Sequence, residues 1–179
     1  MPLRQASPPT NLTSPQDFWT AMVVPDCEDY RNNIASLRHA VHSAVSLFHL
    51  HDWVFQTDPS TATTFAYVDK SGIPRPVSKA SHFANYLEQS CPEFGLIRGV
   101  ANAAKHLALT HPSFVPNSPT HAANTQVQST GYGVGGFGAA PYGGGPRVVI
   151  EAQPANREYL DVMNAVFAMW QSLKATHGW

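Results

Sequence analysis

Histidine stands out in this sequence, because nine histidines accompany only 11 Lys and Arg residues. Four of them fall within 13 positions, at His39, His42, His49 and His51. On a helix, the side chains of Arg38, His42, His49 and Asp52 would lie within roughly 80° of one another. A carboxylate beside an imidazole can fix its tautomer and stabilise its charged form, as in general acid–base catalysis. We therefore predict His42 and Asp52 as catalytic residues and Arg38 as a phosphate-binding residue. The alternative is that these side chains bond to one another at the edge of the core.

A second polar cluster spans residues 98–106. Arg98, Asn102 and Lys105 share one helical face, and His106 lies just beyond it. Asn inside a helix competes for backbone hydrogen bonds, and a residue that breaks a local rule sometimes marks a site. This cluster predicts Arg98, Asn102 and Lys105 as phosphate-binding residues and His106 as a catalytic residue. The alternative is a solvated basic edge.

The same side chains fit a metal site poorly. His42 and His49 are two helical turns apart, about 10 Å along the axis, which is too far to bind one ion easily. His49 and Asp52 are better spaced, but the sequence has neither an HExxH nor an EF-hand pattern. Cys27 and Cys91 do not form a CxxC pair. We expect no metal and no cofactor.

A helical domain with Arg and His on the edges of packed helices resembles the HEPN superfamily. In that family, an Arg and a following His with about four to six residues between them form a ribonuclease site, usually across a dimer. The corresponding pairs here are Arg38 with His42, with three residues between them, and Arg98 with His106, with seven. Both spacings depart from the family pattern, yet Arg38 and His42 lie one turn apart and can converge on a phosphate. The resemblance covers residues 29–109 and implies a metal-independent, RNA-directed module.

Two long amphipathic helices are predicted to position these clusters. Over residues 29–56, apolar side chains recur at three- and four-residue steps without a Gly or Pro. A second such helix is predicted over about 92–109, with Pro92 at its first position. We expect the two helices to pack side by side, through Val41, Phe48, Ile97, Ala101 and Ala104.

The other elements complete a mainly α, single-domain bundle of four to five helices with a minor β element. Ser14 and Pro15 predict a helix start, and Pro25 predicts its end. Further helices are predicted over 79–90 and 157–175, and short strands near 63–69 and 146–151. The predicted organisation is a flexible arm over 1–14 and a helical domain over 15–179.

The helical domain contains a Gly- and Pro-rich, low-complexity insertion at about 111–146. Eight of the 12 glycines lie within 131–145. Because glycine raises the entropic cost of order and proline removes hydrogen-bond donors, we expect no regular helix or strand longer than one turn over 112–145. The glycines also lack the flanking strand and helix of a phosphate-binding loop.

Composition excludes several classes of protein. The net charge is −1, so no overall positive field recruits nucleic acid. No apolar run approaches the roughly 18 residues of a membrane span, and the start lacks the apolar stretch of a secretory signal. Two cysteines without a CxxC spacing fit a reducing cytoplasm. We therefore expect a cytoplasmic protein with no membrane partner.

Two hypotheses of function follow. The first is a HEPN-like, RNA-directed module in which His42 or His106 is the acid–base group and Arg38 and Lys105 hold phosphate. The second is a non-catalytic structural or interaction protein, which docks its N-terminal arm and Gly/aromatic tract on partner subunits or on further copies of itself. The hypotheses differ in whether the polar clusters of the two long helices converge in space.

Overall fold

The computed structural model describes residues 11–108, 118–129, 145–152 and 155–179. In chain order its elements are α1 (Pro15–Phe18), a π-helical segment (Trp19–Val23), α2 (Val24–Asn32), α3 (Leu37–Thr57), α4 (Pro59–Thr63), β1 (Ala66–Val68), β2 (Pro74–Pro76), α5 (Ala80–Ser90), α6 (Pro92–His106), a 3-10 turn (Ala122–Asn124), β3 (Thr125–Gln128), β4 (Arg147–Ile150), β5 (Arg157–Glu158) and α7 (Tyr159–His177). The predicted mainly α domain with a minor β element is confirmed. Among the described helices, none is both long and apolar enough to cross a membrane. Residues 1–10 of the predicted arm lie outside the described part of the chain.

The first helix begins where predicted but does not end at Pro25. The Ser14 hydroxyl accepts a hydrogen bond from the Asp17 N–H at 3.1 Å, and Pro15 opens the helix. The backbone then widens into the π-helical segment, where the Val24 N–H bonds to the Trp19 carbonyl. This turn shifts the hydrogen-bond register by one residue. Pro25, which has no N–H to donate, therefore falls in the first turn of α2, and the predicted end is wrong.

The helix predicted over 29–56 is divided into α2 and α3. Between them, the Ile34 carbonyl leaves the helical ladder and accepts hydrogen bonds from the Tyr30 hydroxyl and the Val148 N–H, both at 3.0 Å. Ser36 then caps α3, because its hydroxyl accepts from the His39 N–H at 3.3 Å. The break interrupts the helix without interrupting the apolar pattern, since Ile34 still packs against the core.

Helices α3 and α6 pack against each other, as predicted. The rings of Phe48 and Phe94 lie 6.0 Å apart across this contact. Two details differ from the prediction. Ala104 is exposed, and Ala103 is buried instead. The helix also ends at residue 106 rather than 109, because Leu107 takes a left-handed φ of 61°.

The predicted strands near 63–69 and 146–151 belong to two small antiparallel sheets. Strand β1 pairs with β2, and β4 lies between β3 and β5. The expectation of no strand over 112–145 is wrong at β3, where Thr125 pairs with Ile150 and Gln128 with Arg147. Strand β4 supplies buried apolar side chains to this sheet, which anchor β3 to the core. Residues 109–117 and 130–144 of the insertion lie outside the described residues.

Residues 118 and 119 pack on α6 at a place that requires glycine. The Ser118 hydroxyl donates to the Gly95 carbonyl at 3.2 Å. A Cβ atom on Gly99 would lie 2.8 Å from Cδ and 2.9 Å from the carbonyl oxygen of Pro119. An alanine at position 99 would therefore displace this segment, although alanine favours a helix more than glycine does.

Helix α7 packs against α3 through buried side chains. The indole N–H of Trp170 donates to the Leu47 carbonyl at 3.0 Å, and the hydroxyls of Tyr159 and Ser43 lie 2.9 Å apart. Tyr159 also packs edge-on against Tyr30, with ring centroids 4.8 Å apart. These buried contacts fix the position of α3, and with it the histidines that α3 carries.

Candidate functional site

A groove of about 500 Å³ lies between the N-terminal helical segments and α3. We call it the N-terminal groove. Its apolar lining is Phe18, Met22, Val45 and Trp53, and its polar lining is Asp26, His42, Ser46, His49 and Asp52. The α3 members recur at three- and four-residue steps and therefore form one stripe, about 16 Å long from His42 to Trp53.

The apolar wall of the groove is partly open to solvent. Met22 is 40% exposed and Val45 is 36% exposed. At one end, the rings of Phe18 and Trp53 stack with centroids 5.2 Å apart and planes 22° apart. Exposed apolar side chains that form a contiguous patch commonly mark a binding surface.

Asp52 joins two histidines at the same end of α3. Its Oδ2 accepts a hydrogen bond from Nδ1 of His49 at 3.0 Å, and its Oδ1 lies 3.3 Å from Nε2 of His51. The hydrogen bond from His49 lowers the pKa of the Asp52 carboxyl, which is therefore ionised at neutral pH. Because Nδ1 of His49 is the donor, Nε2 is the ring nitrogen that remains for a ligand or a proton.

Asp26 supplies a second carboxyl to the groove from α2. It is partly buried, and this burial raises its pKa against the opposing effects of Ser46 and His42. Sequence reasoning missed Asp26, because a helix that ended at Pro25 would not have brought α2 against α3. The only local signal was that Phe18 and Met22 precede it at helical spacing.

His51 is a core residue rather than a groove residue. It is only 4% exposed, and its Nδ1 donates to the Phe48 carbonyl. Its ring lies between Phe48 and Phe94, with centroids at 4.6 and 6.2 Å. Burial lowers the pKa of His51 and outweighs the opposing attraction of Asp52. The position of His51 three residues after Phe48, on the apolar stripe, is the signal that could have shown this.

We expect acid to destabilise the fold through His51. Its folded pKa lies below the unfolded value of about 6.5, so the unfolded chain binds more protons in mild acid. The stabilisation is complete above about pH 6.5 and is lost as the pH falls towards the folded pKa. Urea unfolding should therefore show a lower free energy of unfolding at about pH 5.5 than at about pH 7.5. This difference should shrink in His51→Gln and persist in the exposed control His106→Gln. An unchanged pH dependence in His51→Gln would contradict the assignment.

The structure brings two of the predicted site residues, His42 and Asp52, into the groove, together with His49 of the same helix edge. Arg38 is exposed one turn before His42 on the same helix. The α6 cluster does not join them, since no α6 residue is among the described residues that line the groove. Asn102 is partly exposed, and Lys105 and His106 are exposed at the end of α6. The roles predicted for these three residues stay predictions.

Arg98 is held by a buried carboxylate. One of its guanidinium nitrogens donates to Oε1 of Glu88 at 2.8 Å and to Oδ1 of Asn85 at 3.2 Å. The Glu88 side chain has no exposed surface, whereas that of Arg98 is 25% exposed. The ion pair ties α5 to α6. Phosphate binding by Arg98 stays a prediction, and the structure adds a stabilising role that its sequence neighbours do not reveal.

Metal and thiol chemistry find little support in the described part of the chain. No group of three or more His, Cys, Asp or Glu there could hold a metal ion. Burial raises the pKa of Cys27 to about 12, so this thiol is not a nucleophile near neutral pH. Burial also raises the pKa of the half-buried Cys91.

The chain matches no protein-family model, no curated protein and no solved structure in the three comparisons. The HEPN resemblance therefore stays a prediction. The geometry and chemistry of the N-terminal groove carry the functional conclusion.

Proposed function

We propose that this chain is a binding module that takes a short segment of another protein into the N-terminal groove. The observation that carries the proposal is the apolar wall, in which Met22 and Val45 stay exposed beside the stacked rings of Phe18 and Trp53. Burial of apolar side chains is the main driving force when an amphipathic segment enters such a groove. This refines the hypothesis of an interaction protein.

The dimensions of the groove limit what it can take. Its length of about 16 Å equals about three turns of an α-helix or about five residues of extended chain. Its nine lining residues are far fewer than the about 20–30 residues that each side contributes to a standard protein–protein interface, so the complex should be transient. Docking of the N-terminal arm and the Gly/aromatic tract on partner subunits involves residues outside the described part and stays a prediction.

Labelled amphipathic peptides of about 12 residues test the proposal, by fluorescence anisotropy with the full chain. Binding in the range of about 1–100 μM is expected for peptides that present leucines on one face. Val45→Gln should weaken it about tenfold or more, whereas Val127→Gln should not. Val127 is the matched control, since it is 44% exposed on β3 and does not line the groove. Absence of binding by every peptide, or equal loss in both variants, would overturn the proposal.

The second candidate is a metal-independent acid–base module directed at RNA, as in the HEPN-like hypothesis. The observation that favours it is the 3.0 Å hydrogen bond of His49 with Asp52, in the same groove as the imidazole of His42 two helical turns away. Two imidazoles can act as base and acid in cleavage of an RNA phosphodiester, and Arg38 lies one turn from His42, where it could meet the phosphate.

Cleavage of a mixed RNA pool with and without EDTA tests this candidate. EDTA should not inhibit, and His42→Ala, His49→Ala and His106→Ala should each reduce the rate by about 10²–10⁴ if the residue is catalytic. Thermal melts of each variant control for folding. No cleavage by the wild type would exclude this candidate.

A further inference from the structure

We infer that the segment bound in the N-terminal groove is basic, with Arg or Lys side chains that pair with Asp26 and Asp52. The inference rests on the proposed function and names the chemistry of the partner. It is carried by the charges of the groove lining, by the aromatic ring beside Asp52 and by the spacing of the two carboxyls.

The charge of the groove lining selects a cation. Its ionisable members are two carboxyls, Asp26 and Asp52, and two imidazoles, His42 and His49. Among the described residues that line it, none is Lys or Arg. An acidic segment would bring its carboxylates against Asp52 without a permanent cation to pair with, and would lose hydration without compensation. Arg38 lies beyond His42, outside the lining, so the Asp52 end is the more acidic.

The Asp52 end also offers an aromatic ring to a cation. Trp53 follows Asp52 in the chain and lines the same groove, stacked on Phe18. A guanidinium can pair with a carboxylate and pack on an adjacent ring at the same time. The protein uses this packing elsewhere on its surface, where the Arg31 guanidinium lies 4.7 Å from the ring centroid of Phe167. An arginine of the partner is therefore the side chain that best fits this end.

The two carboxyls are spaced for two basic side chains on one segment. Asp26 lines the groove from α2 together with Ser46 of α3, which lies six residues before Asp52 and therefore about 9 Å from it along the helix axis. In a bound helix, residues seven apart are separated by about 10 Å and lie on the same face. The apolar side chains between them would contact Met22 and Val45. The predicted partner is thus an amphipathic segment with two basic residues about two turns apart.

Three matched 12-residue peptides test the inference by fluorescence anisotropy with the full chain. They share their leucine positions and carry arginine, glutamine or glutamate at two positions seven residues apart. We expect the arginine peptide to bind about tenfold or more tightly than the glutamine peptide, and the glutamate peptide to bind most weakly. Asp52→Asn should reduce the preference for arginine, with Asp26→Asn as a second variant and circular dichroism as the check on folding. The exposed Asp161→Asn, on α7 and outside the groove, is the matched control.

The outcomes separate the inference from the function on which it rests. Equal binding of the arginine and glutamine peptides, or tightest binding of the glutamate peptide, would overturn the inference and leave the binding module in place. No binding of any peptide would overturn both.

Discussion

Replacement of Arg98 by methionine is expected to lower the free energy of unfolding by about 3–5 kcal/mol. Its partner Glu88 has no exposed side-chain surface and lies 2.8 Å from the guanidinium. Methionine keeps much of the packing volume of arginine but removes the cation that pairs with the buried Glu88 carboxylate. Urea denaturation of the wild type and the variant, followed by circular dichroism, measures the difference.

The matched control is Arg157→Met. Arg157 lies at the same distance of 2.8 Å from Glu93, but its side chain is 45% exposed. Exposed pairs contribute about 1 kcal/mol or less, because water solvates both charges. The double variant Glu88→Gln/Arg98→Met should lose less stability than Arg98→Met alone, since the buried carboxylate is removed together with its arginine partner. Equal losses for the two single arginine variants would contradict the role that burial gives to the Arg98 pair.

This result bears directly on the predicted phosphate-binding role of Arg98. A variant that is largely unfolded would lose RNA binding whether or not Arg98 touches phosphate. Arg38 and Lys105 are exposed, whereas Arg98 is paired with a buried carboxylate, so Arg38 and Lys105 are the better test positions. Any loss of RNA binding in Arg38→Met or Lys105→Met can be compared with a melt that should stay close to that of the wild type.

Local patterns in the sequence predicted the helices and strands, whereas contacts between residues distant in the sequence determine where some of these elements end. The helix start at Ser14 and Pro15 depends only on residues 14–17, and the structure shows it. The break after α2 depends instead on Val148, which is more than a hundred residues from Ile34 and bonds to its carbonyl. Pro25 shows the same limit. The π-helical segment before it allows Pro25 to lie in the first turn of α2, and the apolar pattern does not reveal that segment.

The candidate site divides in the same way. The stripe from His42 to Asp52 follows from helical periodicity alone, and His42, His49 and Asp52 share one groove. The opposite wall, with Asp26 and Met22, follows only from the packing of α2 against α3. Glu88 has no local signature either, since its partner lies on the next helix. Sequence reasoning therefore found the chemistry on one helix and missed the partners that tertiary packing brings to it.

Replacement of Trp170 by alanine is expected to lower the free energy of unfolding by about 3–5 kcal/mol. The indole is fully buried, and its N–H donates to the Leu47 carbonyl at 3.0 Å. Its ring lies 6.1 Å from that of Phe94, which in turn packs against the buried His51. The variant therefore loses apolar burial, gains a cavity and loosens the packing beneath the groove-bearing helix.

The matched control for this prediction is Trp53→Ala, because Trp53 is only partly buried at the end of the groove. Trp53→Ala should lower the free energy of unfolding clearly less than Trp170→Ala does, since the exposed part of the Trp53 ring contributes little to folding. Denaturant midpoints of the two variants give the comparison, with Trp170→Phe as an intermediate that keeps a ring in the core. Equal midpoints for the two alanine variants would mean that Trp53 is as much a core residue as Trp170. The assignment of Trp53 to an open wall of the groove, on which the binding proposal depends, would then be wrong. A large loss of stability in Trp170→Ala and a small loss in Trp53→Ala would support Trp53 as a residue that is free to contact a ligand. The Trp53→Ala protein would then remain folded and could be used in the peptide titrations.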